Sequence, residues 1–108
     1  MFFPFWKVIN FAGVISLNAI NNEEKTAELD YWIAVPFWNR GIGTEAVKQA
    51  IKYAFEKLNL EIIRSACLAK NKGSIRVLEK NRFNRINEFV FEDGKFKGEV
   101  GYRYQLNK

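Results

Sequence analysis

The sequence predicts an α+β fold: one domain, Met1–Lys108, in which a mixed, mainly antiparallel sheet is flanked by at least two helices. Three observations predict it. After the stretch W-N-R-G-I-G-T-E-A, apolar residues recur at helical spacing: Ile42, Ala46, Val47, Ala50, Ile51, Ala54, Phe55 and Leu58 share one stripe, and Glu45, Lys48, Gln49, Lys52, Glu56 and Lys57 share the other. This helix separates two strand-like stretches, 27–35 and 61–68, and so makes a strand-helix-strand unit with a right-handed crossover. Finally, residues 85–92 and 95–106 flank Asp93-Gly94, a two-residue turn signal that predicts a hairpin.

Taken in order, M-F-F-P-F-W has the apolar look of a secretory leader. It lacks a basic leading segment, Pro4 and Lys7 interrupt it, and no small-residue cleavage site follows. Residues 5–9 and 13–17 read instead as two strands around a turn at 10–12, and 21–25 as a polar turn. The next strand places Glu28, Asp30, Trp32 and Ala34 on one face and Ala27, Leu29, Tyr31 and Ile33 on the other, and it stops at Pro36. Gly41 and Gly43 have no β-carbon, so the amides around them can approach an anion at the positive end of the helix; an ordinary turn is the plainer reading of the same spacing. The pattern is neither a Walker A loop, since no Gly-Lys-Ser/Thr follows, nor the dinucleotide fingerprint, since a third glycine is missing. Cys67 sits in an apolar strand and reads as core. Asn71 caps a second helix whose Ile75 and Leu78 face inward.

Bulk properties narrow the chemistry. A chain of 108 residues with 48% hydrophobic and 16% aromatic content can bury a real core, roughly 65% of its unfolded surface. The net charge of +5 favours anionic ligands or partners, but the excess is scattered and reads as solvated surface rather than a nucleic-acid footprint. One cysteine excludes an internal disulfide, and the absence of histidine argues against a zinc site or a Ser-His or Cys-His nucleophile pair. A reducing cytoplasm is the expected compartment, and neither membrane nor metal is expected.

Glu28-Leu29-Asp30-Tyr31-Trp32-Ile33, Pro36, the stretch from Trp38 to Ala46, and N-K-G-S-I-R-V-L-E-K-N-R-F from Asn71 to Phe83 closely resemble the GNAT superfamily of N-acetyltransferases, and within it the ribosomal-protein N-terminal acetyltransferase (RimJ/RimL) branch. The family loop is Gln/Arg-x-x-Gly-x-Gly/Ala: Gly41 and Gly43 match, and Trp38 stands where Gln or Arg is usual. The later segment resembles Asn-x-x-Ser followed by Glu-Lys-x-Gly-Phe, with Asn71, Ser74, Glu79, Lys80 and Phe83 in place and Arg82 where glycine is expected, a departure that bears on the local turn. The resemblance runs from about Gly13 to the C-terminus.

This resemblance implies a GNAT-like acyl-CoA N-acyltransferase fold. It also implies acetyl transfer from acetyl-CoA, as co-substrate, to a primary amine on a protein N-terminus or a small molecule, by direct attack in a ternary complex. Asn39, Arg40, Gly41, Ile42, Gly43 and Thr44 would hold the diphosphate, and Ile33, Ala34, Val35 and Asn71 the pantetheine arm. Glu28 would take a proton from the acceptor, with Asp30 in reserve. Ser74 would be the proton donor, with Tyr102 and Tyr104 as alternatives that read first as packing. Family members usually carry a strand and two helices before the segment matched by Gly13, and this chain has too few residues there to supply them. A fragment, a displaced gene start, or a wall from a second subunit is expected. Aromatics such as Phe2, Phe3, Phe5 and Trp6 would then favour a homodimer or a strand-exchanged oligomer. Two readings from other classes stay open: a non-catalytic acyl-CoA-binding or interaction domain, and a small basic RNA-binding module.

Overall fold

In the computed structural model, which describes residues 6–10, 13–33 and 41–108, the strand-helix-strand unit forms the centre. Strands β3 (Thr26–Ile33) and β4 (Ile62–Leu68) are parallel neighbours joined through helix α1 (Ile42–Glu56). Strands β1 (Trp6–Asn10) and β2 (Gly13–Asn21) extend the sheet antiparallel on the β3 side. On the β4 side, β6 (Val100–Asn107) pairs with β4 and β5 (Asn84–Val90) with β6. Among the described residues the order is therefore β1-β2-β3-β4-β6-β5, with β3–β4 its parallel step. Helix α2 (Lys72–Lys80) lies between β4 and β5 in the chain.

Periodicity explains which face is filled. The polar stripe expected for α1 is exposed throughout, whereas Val47, Ala50 and Ala54 are fully buried and Ala46, Ile51, Phe55 and Leu58 pack around them. They meet Ile15, Leu17, Ala27, Leu29, Ile63 and Tyr104 from the sheet and Leu78 from α2. Two small alanines at the centre of the helix face let it sit close to the sheet. On the opposite face of the sheet, Glu28, Asp30, Arg64, Ala66 and Arg103 are exposed.

Helix α2 ends in a left-handed cap. Arg82 N–H donates to the Glu79 carbonyl and Phe83 N–H to the Leu78 carbonyl, both at 3.1 Å, the paired bonds of a Schellman motif. That motif needs a residue at positive φ, and Arg82 supplies it at φ 68. The turn survives the missing glycine, at a cost of about 1–2 kcal/mol for holding an L side chain there. Buried Phe83 and Leu78, both in the core, account for its persistence.

Several boundaries move. Helix α1 stops at Glu56, short of Leu58, because Asn59 turns left-handed at φ 55 and Leu60 N–H bonds back to the Ala54 carbonyl. Strand β2 runs beyond residue 17 to Asn21 through an irregularity where Ala19 takes φ 50. The hairpin exists, but the tight turn at Asp93-Gly94 does not. Phe91 instead exchanges bonds with Gly98 and Glu99, and two successive turns at Gly94 (φ 79) and Gly98 (φ 86) fill the tip, so the residues just after Gly94 are not strand. The apolar content of this tip explains the longer loop: Phe89, Phe91 and Phe96 cluster, with ring centroids 4.8 and 5.8 Å apart. Buried Gly101 makes room for them, since a β-carbon there would lie 2.6 Å from the Phe89 ring. Phe2, Phe3 and Phe5 lie outside the described residues. Among the described residues no helix is long and apolar enough to cross a membrane.

Candidate active site

The site begins where β3 and β4 part. They pair at Thr26↔Ile62, Ala27↔Ile63 and Glu28↔Arg64, and no farther. Each strand continues on its outer side, β3 along β2 as far as Ile33↔Gly13 and β4 along β6 as far as Leu68↔Gly101. Their inner edges therefore diverge unpaired beyond Glu28 and Arg64. At the crotch, Ser65 Oγ donates a buried 2.8 Å bond to the Leu29 carbonyl, satisfying the acceptor that the interrupted ladder leaves behind. Two open edges facing one another can bond a ligand that carries amides as if it were an inserted strand.

Helix α1 follows β3 and α2 follows β4 in the chain, and open sheets of this kind bind ligands beyond the carboxyl ends of their parallel strands. Asn81, the C-cap of α2, donates to the Thr44 carbonyl in the first turn of α1 at 3.1 Å. Gly41 is the N-cap of α1, exposed and left-handed at φ 75, and as glycine it brings no side chain to cap the helix. The first closed turn is Glu45 N–H to the Gly41 carbonyl at 3.0 Å, which leaves the amides of Ile42, Gly43 and Thr44 without helical partners. Such an end favours an anion. Gly43 differs from the expectation of two equally bared glycines: it is buried, so Gly41 is the one open to solvent. At α2, the Asn71 side-chain oxygen accepts from Ser74 N–H at 3.1 Å and so serves as the cap. Ser74 is half-buried in the first turn. Ala34, Val35, Asn39 and Arg40 lie outside the described residues.

The two carboxylates differ in freedom. Asp30 Oδ2 accepts from Asn18 Nδ2, which also donates to Ser16 Oγ at 3.1 Å, so Asp30 is tied across to β2. Glu28 stands opposite Asn18 on one side and Arg64 on the other. It makes no hydrogen bond or ion pair among the described residues, which suits a proton acceptor. Both line a cleft of ≈ 190 Å³ together with Arg64, Ala66, Ile86 and Arg103. Ser74 does not line that cleft and belongs to the helical layer.

The two tyrosines serve packing. Tyr104 is buried and its hydroxyl donates to Glu79 Oε2 at 3.1 Å, while the Arg85 guanidinium lies 3.7 Å over the Tyr102 ring and 3.8 Å from the same carboxylate. Burial pushes the Tyr104 phenol up, against the opposing pull of Arg85. This cluster pins α2 to the sheet. Burial likewise raises the Cys67 thiol, in keeping with a packed cysteine. Ser65, Arg64 and Arg103 had no signal in the sequence, because register alone brings them to the fork. A broader depression lined by Lys25, Asn59, Glu61 and Lys108 lies at the far end of β4 and shares no residue with it.

A family model described as "Acetyltransferase (GNAT) domain" matches residues 3–84. The chain is 36% identical over 87 residues to the Bacillus subtilis protein named "Putative ribosomal N-acetyltransferase YdaF", covering 81% of this chain and 46% of that protein. A crystal structure of a probable acetyltransferase superposes with a TM-score of 0.82 at 31% identity, covering 92% of this chain and 56% of that one. A spermidine N-acetyltransferase, SpeG of Vibrio cholerae, shares the fold at a TM-score of 0.82 and 21% identity, over 95% of this chain and 64% of that one. The chain thus spans about half the length of the curated relatives it matches.

Proposed function

The chain belongs to the acetyltransferase (GNAT) domain family, and from that premise we propose that it transfers an acetyl group from acetyl-CoA to a primary amine. The observation that carries this reading is the fork: two strand edges that stop pairing beyond Glu28 and Arg64, followed in the chain by a helix that opens at a left-handed glycine. These features fit the coenzyme's two chemical parts. The first-turn amides at 42–44, which have no helical partners, suit a diphosphate, and the unpaired edges suit the amides of a pantetheine arm. Bound there, acetyl-CoA would supply an activated acetyl group.

The chain's own residues divide the remaining work. Glu28, unencumbered at the crotch, accepts a proton from the acceptor ammonium, directly or through water, so that a neutral amine is presented. Asp30, held by Asn18, shapes the same wall. Ser74, on the helical side, is the proton donor for the departing thiolate. Among the described residues no side chain is poised as a covalent nucleophile, and direct attack within a ternary complex is the route of this reading. The name of the B. subtilis relative favours a ribosomal acceptor, and that of SpeG spermidine, a polyamine. The same reading includes a homodimer within a reducing cytoplasm.

Thiol release from acetyl-CoA, followed across a panel of primary amines, tests the proposal. Amine-dependent release with acetylated amine as product is expected. Saturable acetyl-CoA binding without release on any amine would establish the non-catalytic alternative.

A further inference from the structure

We propose that the acceptor is a primary amine that also bears an anionic group, a carboxylate or a phosphate, and that Arg64 and Arg103 receive that group. This rests on the transferase reading above and adds the charge pattern of its acceptor.

The cleft at the fork has two walls of opposite sign. Glu28 and Asp30 stand on β3, and Arg64 and Arg103 project from the adjacent strands β4 and β6, where Ala66 pairs with Arg103 and Arg64 with Gln105. Its ≈ 190 Å³ holds a small molecule or the first residue or two of a peptide, about six times the liquid volume of a water.

The arginines are held without being neutralised. Arg64 Nε donates to Gln105 Oε1 at 3.2 Å, and Arg103 Nη1 donates to Asn87 Oδ1 at 3.2 Å while its guanidinium lies 4.0 Å over the Phe89 ring. Neutral amides and a ring orient the forks, and among the described residues neither arginine forms an ion pair. Even Glu28, the register neighbour of Arg64, is not within ion-pairing distance of it. Two oriented guanidiniums with donors to spare match the planar oxygens of a carboxylate or phosphate. The carboxylate wall then takes the ammonium end. A polyamine meets the opposite situation, since its second cation would face Arg64 and Arg103.

Calorimetry on the 108-residue chain with CoA present compares matched probes. These are γ-aminobutyrate against its carboxamide, phosphoethanolamine against ethanolamine, the amidated peptide Ser-Glu-Ala against Ser-Gln-Ala, and spermidine. The anionic member of at least one pair should bind about tenfold tighter than its neutral analogue. Arg64→Gln and Arg103→Gln should each remove most of that ratio, read within each variant between its own charged and neutral probes. The pair that shows the effect identifies the source as free carboxylate, phosphate or peptide. A ratio near one in every pair, tightest binding by spermidine, or a ratio untouched by both substitutions overturns the inference. Thiol release is read in parallel. A charge preference with no acetyl transferred sinks the transferase reading alone, and acetyl transfer without the preference sinks this inference alone.

Discussion

Glu28→Gln is expected to lower the rate of acetyl transfer by about 10²- to 10⁴-fold, the range lost when a positioned general base is removed. The substitution preserves shape and deletes the proton-accepting charge. Because Glu28 is exposed and has no hydrogen-bond or ion-pair partner among the described residues, the fold should not register the change, with stability kept within about 0.5 kcal/mol. Acetyl-CoA affinity should also hold, since the features proposed to face the coenzyme lie in the backbone and helix ends. Steady-state rates with saturating coenzyme, set beside a thermal melt, check both halves. Asp30→Asn is the internal control: Asp30 is committed to Asn18, so its loss should affect the rate less. An unchanged rate in Glu28→Gln would move the proton acceptor elsewhere.

Leu78→Ala is expected to have the largest effect on stability. Leu78 is the fully buried residue of α2, and it also closes the helix by accepting from Phe83 N–H. Truncating such a leucine typically costs about 2–5 kcal/mol, through lost transfer energy and the cavity left behind. For a domain of this size each kcal/mol lowers the melting temperature by roughly 4–8 °C. The consequence reaches the site, because α2 carries Asn71 and Ser74 at its other end. Acetyl-CoA affinity should therefore fall along with the melting temperature, even below the melt. A melt within error of the parent would mean that the Tyr104–Glu79–Arg85 cluster alone holds the helix.

How much of this was legible depends on whether the signal was local. The α1 stripe could be read because its period of 3.6 is written in consecutive residues, and each charged position on its outer face is exposed. The parallel β3–β4 unit followed from a helix between two strands. The hairpin tip misled, since Asp93-Gly94 is a good local turn but Phe89, Phe91 and Phe96 gain more by clustering over Gly101, which a two-residue turn would forbid. Arg82 shows a tertiary override of the same kind: two buried apolar anchors hold a left-handed turn that glycine would have taken freely. Within the site, Gly41 could be named from a pattern along the chain, and Glu28, Asp30 and Asn71 from the resemblance to the GNAT superfamily. The fork itself could not, because the point where pairing stops is set by register between strands more than thirty residues apart, marked by the Ser65 bond to Leu29. Arg64 and Arg103 entered for the same reason, brought side by side across β4 and β6.

Where acetyl-CoA binds is the decisive measurement. Amide-resolved NMR of the labelled chain during titration with acetyl-CoA should shift the N–H resonances of Gly41, Ile42, Gly43 and Thr44 together with those lining the two open edges, Asp30 to Ile33 and Ala66 to Leu68. Saturable binding that leaves those amides unmoved, or that shifts instead the depression around Lys25, Glu61 and Lys108, would contradict it.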